Sequence, residues 1–159
     1  MALNFELKLN TEKKDSDILE VILGIEGFKE ITEDSSALFE TDGAAGSGIR
    51  RLSKMSQNIL FEETNVSANT VVWCRLDGSD EETYATGMKN ILKVFMTILQ
   101  HISGDALIQL NGDDIKFLRK GDQVFLNPNS FSKDESALWR LKDVPFLNYK
   151  IKEMELSGN

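Results

Sequence analysis

Apolar and polar residues alternate near the start of the chain. Leu3, Phe5, Leu7 and Leu9 share one side, and Asn4, Glu6 and Lys8 the other. A period of two predicts a half-buried strand. The spacing then lengthens. Ile18, Leu19, Ile22 and Leu23 form the stripe of a short helix, with Asp15 or Ser16 as its cap and Gly24 or Gly27 as its stop. Ala37, Phe39 and Thr41 return to alternation and predict a strand. In Gly43-Ala44-Ala45-Gly46-Ser47-Gly48, three glycines in six residues weaken helix and strand alike, which predicts a loop. Residues 49–55 read as a strand, and Ser56 then caps a short helix through Ile59, Leu60 and Phe61. Residues 70–76, rich in Val and Trp, predict a strand buried on both faces.

The second half opens on the strongest local signal. Ser79, Asp80, Glu81 and Glu82 form a capping box, and Tyr84, Met88, Ile91, Leu92, Phe95, Leu99 and Ile102 follow at steps of three and four. They predict a helix of about 22 residues that Gly104 stops. Residues 106–110, 115–119 and 124–126 then read as three short strands. Asn111-Gly112 suits the first turn between them and Lys120-Gly121-Asp122 the second, so the strands form an antiparallel meander closed by Pro128. A second capping box at Ser132 to Glu135 starts a short helix through Leu138, Trp139 and Leu141. Pro145 ends that section, and residues 149–156 read as a last strand. The fold class is therefore α+β: an antiparallel, meander-rich sheet packed against one long helix, with short additional helices. No repeat or linker divides residues 1–159, which read as one domain.

At 159 residues the chain is long enough to bury a core without disulfides or a structural metal. With 41% hydrophobic and 28% charged residues it is no disordered chain. Lys and Arg number 18 against 26 Asp and Glu, a net charge of −8 that argues against direct binding of nucleic acid or an anionic membrane. The alternation at the start is unlike a signal peptide, and no segment approaches the roughly 18 apolar residues of a membrane span, so a cytoplasmic location is expected.

Candidate chemistry is sparse. Residues 43–48 have the glycine spacing of a phosphate-cradling loop, but Ile49 and Arg50 stand where its Lys and Ser or Thr are needed. His101 is the sole histidine, which excludes a histidine pair on zinc, and its place in the last helical turn suits a helix-end cation. Cys74 lies in an apolar strand, where a thiol stays protonated and unreactive. Asp113 and Asp114 sit at a turn, Asp80 to Glu82 serve a helix start, and residues 77–82 lack the ligand alternation of a calcium loop. No metal site, cofactor or catalytic residue is expected.

The distribution of charge is more informative. Residues 1–45 hold eleven acids and four lysines, a net −7, whereas residues 46–104 balance. The excess is densest between Glu26 and Asp42. It reads either as a solvated face or as an electrostatic face for a basic partner, with Glu30, Glu33, Asp34, Glu40 and Asp42 as its contacts. The turn with Asp113 and Asp114, and the glycine-rich segment, are lesser candidates because recognition favours loops on a rigid scaffold.

The run from Gly104 to Gly112, followed by Leu118-Arg119-Lys120-Gly121 and Val124-Phe125-Leu126-Asn127, resembles the swarm-inhibition type of immunity protein from bacterial toxin–immunity systems. The opening Met1 to Phe5, the segment Trp73 to Asp77 and the long helix before Gly104 fall in the same order. The resemblance implies a small cytoplasmic protein, not an enzyme, that neutralises a cognate toxin domain by occluding its functional surface. A basic nuclease domain would match the acidic segment. The alternative is a small-molecule-binding or regulatory module, with a pocket between helix and sheet lined by Met88, Phe95 and Met96.

Overall fold

The computed structural model describes residues 3–31, 37–127 and 150–153. Chain order runs β1 (Leu3–Leu9), α1 (Asp15–Leu23), β2 (Lys29–Ile31), β3 (Ala37–Glu40), β4 (Ala44–Arg51) and α2 (Lys54–Thr64). It continues through β5 (Thr70–Leu76), α3 (Glu81–His101), β6 (Ala106–Leu110), β7 (Asp114–Lys120), β8 (Gln123–Leu126) and β9 (Lys150–Glu153). The strands form one sheet in the order β2-β3-β4-β5-β1-β6-β7-β8-β9. Every pair is antiparallel except β8 with β9, so the fold is α+β with the expected meander of β6, β7 and β8.

Strand alternation sets the core. Leu7 of β1 lies between Val72 of β5 and Ile108 of β6, and Phe5 lies between Cys74 and Leu110. These side chains share one sheet face, which α1 and α3 cover. Ile18, Leu19 and Ile22 enter from α1, and Ile91, Phe95 and Leu99 from α3. The buried side of α3 is wider than the expected stripe, taking in Val94, Met96 and Ile98, because the helix packs on α1 as well as on the sheet. Phe95 and Met96 belong to this core, and Met88 packs partly buried against it.

Helix α3 starts one residue later than its capping box suggests. Asp80, not Ser79, is the N-cap, and its Oδ1 accepts from the Thr83 backbone N–H at 2.8 Å. Either residue type accepts such a bond, so sequence alone does not choose between them. At the other end, Arg119 of β7 points into the core and is 2% exposed. Its guanidinium donates to the carbonyls of Leu99 (2.8 Å), Ile102 (2.6 Å) and Gly104 (2.7 Å). A cation thus meets the negative end of the helix and bonds to carbonyls there.

Three other expectations are corrected. The glycine-rich segment is not a loop: residues 44–51 form β4, an interior strand paired with β3 and β5. Consequently the strand expected at residues 49–55 ends at Arg51, and Ser53, not Ser56, caps α2 by accepting from the Ser56 backbone N–H. Helix α1 is preceded by Lys14, whose N–H donates to Asp17 Oδ2, so neither Asp15 nor Ser16 is the cap, while Gly24 does end the helix. The short strand β2 has no counterpart in the sequence reading. The expected last strand contains β9; the helix expected through Leu138, Trp139 and Leu141 lies outside the described residues.

The turn after β6 behaves as its dipeptide predicts. Asn111 and Gly112 both have positive φ, 54° and 82°. Asp113 makes the connection one residue longer than a two-residue hairpin, because Leu110 pairs with Asp114.

Candidate interaction surface

The opposite face of the sheet is covered only in part. Helix α2 lies over one end of it, where Leu60, Val66 and Ala68 pack on Leu107 of β6, joined by Leu52 and Leu118. Lys120 holds the far end of α2 through the Asn65 carbonyl, with its ammonium 5.9 Å from the Phe61 ring centre. Beyond α2 the face is open. There β5 presents Trp73 and Arg75, β1 presents Asn4, Glu6 and Lys8, and β4 presents Gly46, Gly48 and Arg50, all by strand alternation. Residues 70–76 are therefore not buried on both faces: Val71 is buried, Trp73 half-buried and Arg75 exposed.

The glycines explain how the indole sits. Gly48 is directly opposite Trp73, and a β-carbon there would lie 3.0 Å from Cζ2 of Trp73 and 2.8 Å from Cδ2 of Leu38. At Gly46 it would lie 3.5 Å from the same ring. Two missing side chains in β4 form a flat seat, and Trp73 lies across it. At the strand's start, Gly43 has φ +82° and meets Gly87 of α3 so closely that a side chain on either would overlap the other's backbone.

A shallow groove of about 480 Å³ runs beside the indole, lined by Asn4, Glu6, Arg50, Trp73, Arg75 and the Asn111 turn. Arg50 Nη2 donates to Glu6 Oε2 at 2.6 Å. Asn4 and Asn111 bond reciprocally: Asn4 N–H donates to Asn111 Oδ1 at 2.9 Å, and Asn111 N–H to the Asn4 carbonyl at 2.8 Å. Arg75 makes no ion pair or side-chain hydrogen bond among the described residues. A second groove of about 260 Å³ continues from Arg50 and Glu6 past Lys8 to Ile59 and Glu63 of α2. Lys8 donates to Gln109 Oε1 at 2.6 Å, and burial lowers its ammonium pKa from the ordinary value. On α2, Met55 is 73% exposed and Ile59 and Phe61 are each 48% exposed.

The acidic candidates lie elsewhere. Glu30 and Glu40 are exposed on β2 and β3 at one edge of the sheet, but Glu30 pairs with Phe39 and Glu40 with Lys29, so they project to opposite faces. Asp42 is exposed in the β3–β4 connection, where its carbonyl accepts from Asn90. Glu33 and Asp34 lie outside the described residues. Asp113 is exposed, and Asp114 pairs with Lys116 at 2.7 Å. Strands β4, β5, β1 and β6 separate Glu40 on β3 from Asp114 on β7, about 24 Å at ordinary strand spacing. Trp73, Arg50, Arg75, Met55 and Ile59 were not among the sequence candidates. The available signal was Val71, Trp73 and Arg75 in alternate positions, a polar end to a strand otherwise apolar.

His101 is exposed in the last turn of α3, with Nδ1 2.8 Å from the Thr97 carbonyl. Cys74 is buried in the core, and desolvation pushes its thiol pKa far up. Among the described residues no three His, Cys, Asp or Glu side chains converge as metal ligands would, and no helix is long and apolar enough to cross a membrane.

A family model described as SitI3-like matches residues 3–136, most of the chain. No curated protein and no solved structure matches it.

Proposed function

Because the chain belongs to the SitI3-like family, whose SitI proteins are swarm-inhibition immunity proteins, we propose that it binds a cognate toxin domain in the cytoplasm of its producer and blocks it. The observation that carries this reading is the family match itself. The molecule's chemistry supports it: a large packed core, a buried unreactive thiol, a lone exposed histidine, and one sheet face bearing a half-buried Trp, two Arg and exposed apolar side chains from α2. Trp and Arg are the residues through which protein interfaces are most often anchored. Inhibition then proceeds by occlusion and needs no bond-making by this chain.

In this reading the acids at Glu30, Glu33, Asp34, Glu40 and Asp42 steer a basic toxin, such as a nuclease domain, toward the complex, with Asp113 and Asp114 as a second, smaller group. Steering acts on the association rate and weakens with salt. The test is co-expression with a cognate toxin domain, sought among the genes that flank that of this chain. Survival of otherwise sensitive cells, together with a stable complex on gel filtration, is expected. Cell death at equal expression, or two free proteins, would overturn the proposal. Reversing these five acids should slow association; an unchanged rate removes them from the encounter.

A further inference from the structure

Main-chain groups cannot recognise a partner on the open face. Strands β4, β5 and β1 are each hydrogen-bonded on both sides, so no extended segment can be added to them and side chains must make the contact. Those side chains are unlike the rest of the molecule. On a chain of net charge −8, Lys8, Arg50 and Arg75 face the same way against Glu6, with Glu63 at the rim. Arg50 is held by Glu6, and Trp73 is seated on Gly46 and Gly48, so both are ordered before any partner arrives. Ordering in advance reduces the entropy lost on binding. Among the described residues Arg75 makes no ion pair or side-chain hydrogen bond, and it lines the groove with the indole.

We infer that this groove is the anchor point for the toxin domain, and that the segment it takes carries a carboxylate beside an apolar side chain. This inference rests on the immunity reading. The carboxylate pairs with Arg75 and Arg50, a guanidinium fork suited to it. The apolar neighbour lies on the Trp73 ring, and Ile59 of α2 lines the adjoining groove that continues from Arg50 and Glu6. The distant acidic edge and the basic groove act at different ranges: the first on the approach of a partner, the second on its final docking. Nucleic acid is a poor occupant, because the acids flanking the groove repel a phosphate chain.

Two titrations test this. In the first, the toxin domain is titrated calorimetrically into wild type, Arg75→Glu and Ile59→Asp, all exposed positions remote from the core. A loss of about tenfold or more in affinity is expected for each variant; wild-type affinity in both overturns the groove as anchor. In the second, the peptide acetyl-Leu-Glu-Leu-amide is added to the chain alone while the Trp73 indole N–H resonance is followed. A shift that saturates near millimolar concentration is expected, absent with acetyl-Leu-Gln-Leu-amide and absent in Arg75→Glu. No shift with the Glu peptide, an equal shift with the Gln peptide, or a stronger one with a single-stranded oligonucleotide overturns the inference. Failure of the wild-type chain to bind the toxin overturns the immunity reading instead, and the peptide result still decides the groove's chemistry.

Discussion

The guanidinium of Arg119 donates to the Leu99 carbonyl across 2.8 Å, tying the end of β7 to the last turn of α3. Its other nitrogens reach Ile102 and Gly104, so one side chain satisfies a carbonyl of the last helical turn and two in the chain that leaves it. Replacing it by Leu should lower stability by about 3 kcal/mol, since the Leu99 and Ile102 carbonyls remain buried without their charged donor. Arg119→Lys should recover only part of the loss, because an ammonium lacks the planar fork. Urea unfolding is the measurement, with the midpoint falling and the slope unchanged.

Gly43→Ala should be more damaging than Gly48→Ala. At Gly43 the obstacles are the backbone of Gly87 and a φ of +82°, neither of which a side-chain movement relieves. At Gly48 they include Leu38 Cδ2 and the Trp73 ring, which can shift. About 1–3 kcal/mol is expected for Gly48→Ala and more for Gly43→Ala. Gly48→Ala should also change Trp73 fluorescence; equal losses with no spectral change would contradict the seat described for the indole.

The helix cap at Asp80 carries a pH signature. The Thr83 backbone N–H, then the Thr83 hydroxyl, hold its carboxyl below the usual aspartate range. A depressed folded-state pKa means that this stabilisation is present above the unfolded value of about 4 and lost as pH falls through the folded value. The stability difference between wild type and Asp80→Ala should therefore be full at neutral pH and shrink on acidification. Thermal melts from pH 7 to pH 2 would show it, and a constant difference would exclude the ionised cap.

Cys74 should resist thiol reagents in the native state and react at the rate of unfolding. Burial raises its pKa, so the unfolded chain loses this proton first as the solution becomes alkaline. Its contribution to stability is thus full below the unfolded thiol pKa of about 8.5 and declines above it. Cys74→Ala should be less stable at neutral pH but should lose less between pH 8.5 and pH 10. Rapid labelling of the native protein would place the thiol outside the core.

Much of this architecture was legible in the sequence because its signals are local. Leu3 to Leu9 alternate, residues 84–102 repeat at helical spacing, and Asn111-Gly112 specifies its own turn. Strand β4 was illegible because the reason for its glycines is remote: Gly46 and Gly48 leave room for Trp73, and composition records only the missing side chains. The anchor groove was hidden for a related reason. Alternation places Trp73 and Arg75 on one face of β5, but whether a helix covers that face depends on where α2 comes to rest. The acidic residues were easy to count, yet counting does not show that Glu30 and Glu40 point to opposite sides of the sheet.

The first strand of the chain is the fifth of nine in the sheet, and its neighbours are made late: Leu3 pairs with Leu76, and Phe5 with Leu110. During synthesis β1 therefore leaves the ribosome with both edges vacant and waits for about a hundred more residues, roughly five to twenty seconds at ordinary translation rates. Until then its alternating apolar side is an aggregation hazard that only chaperones or dilution restrain. Every copy of the molecule therefore passes through an interval in which its central strand lacks both of its neighbours.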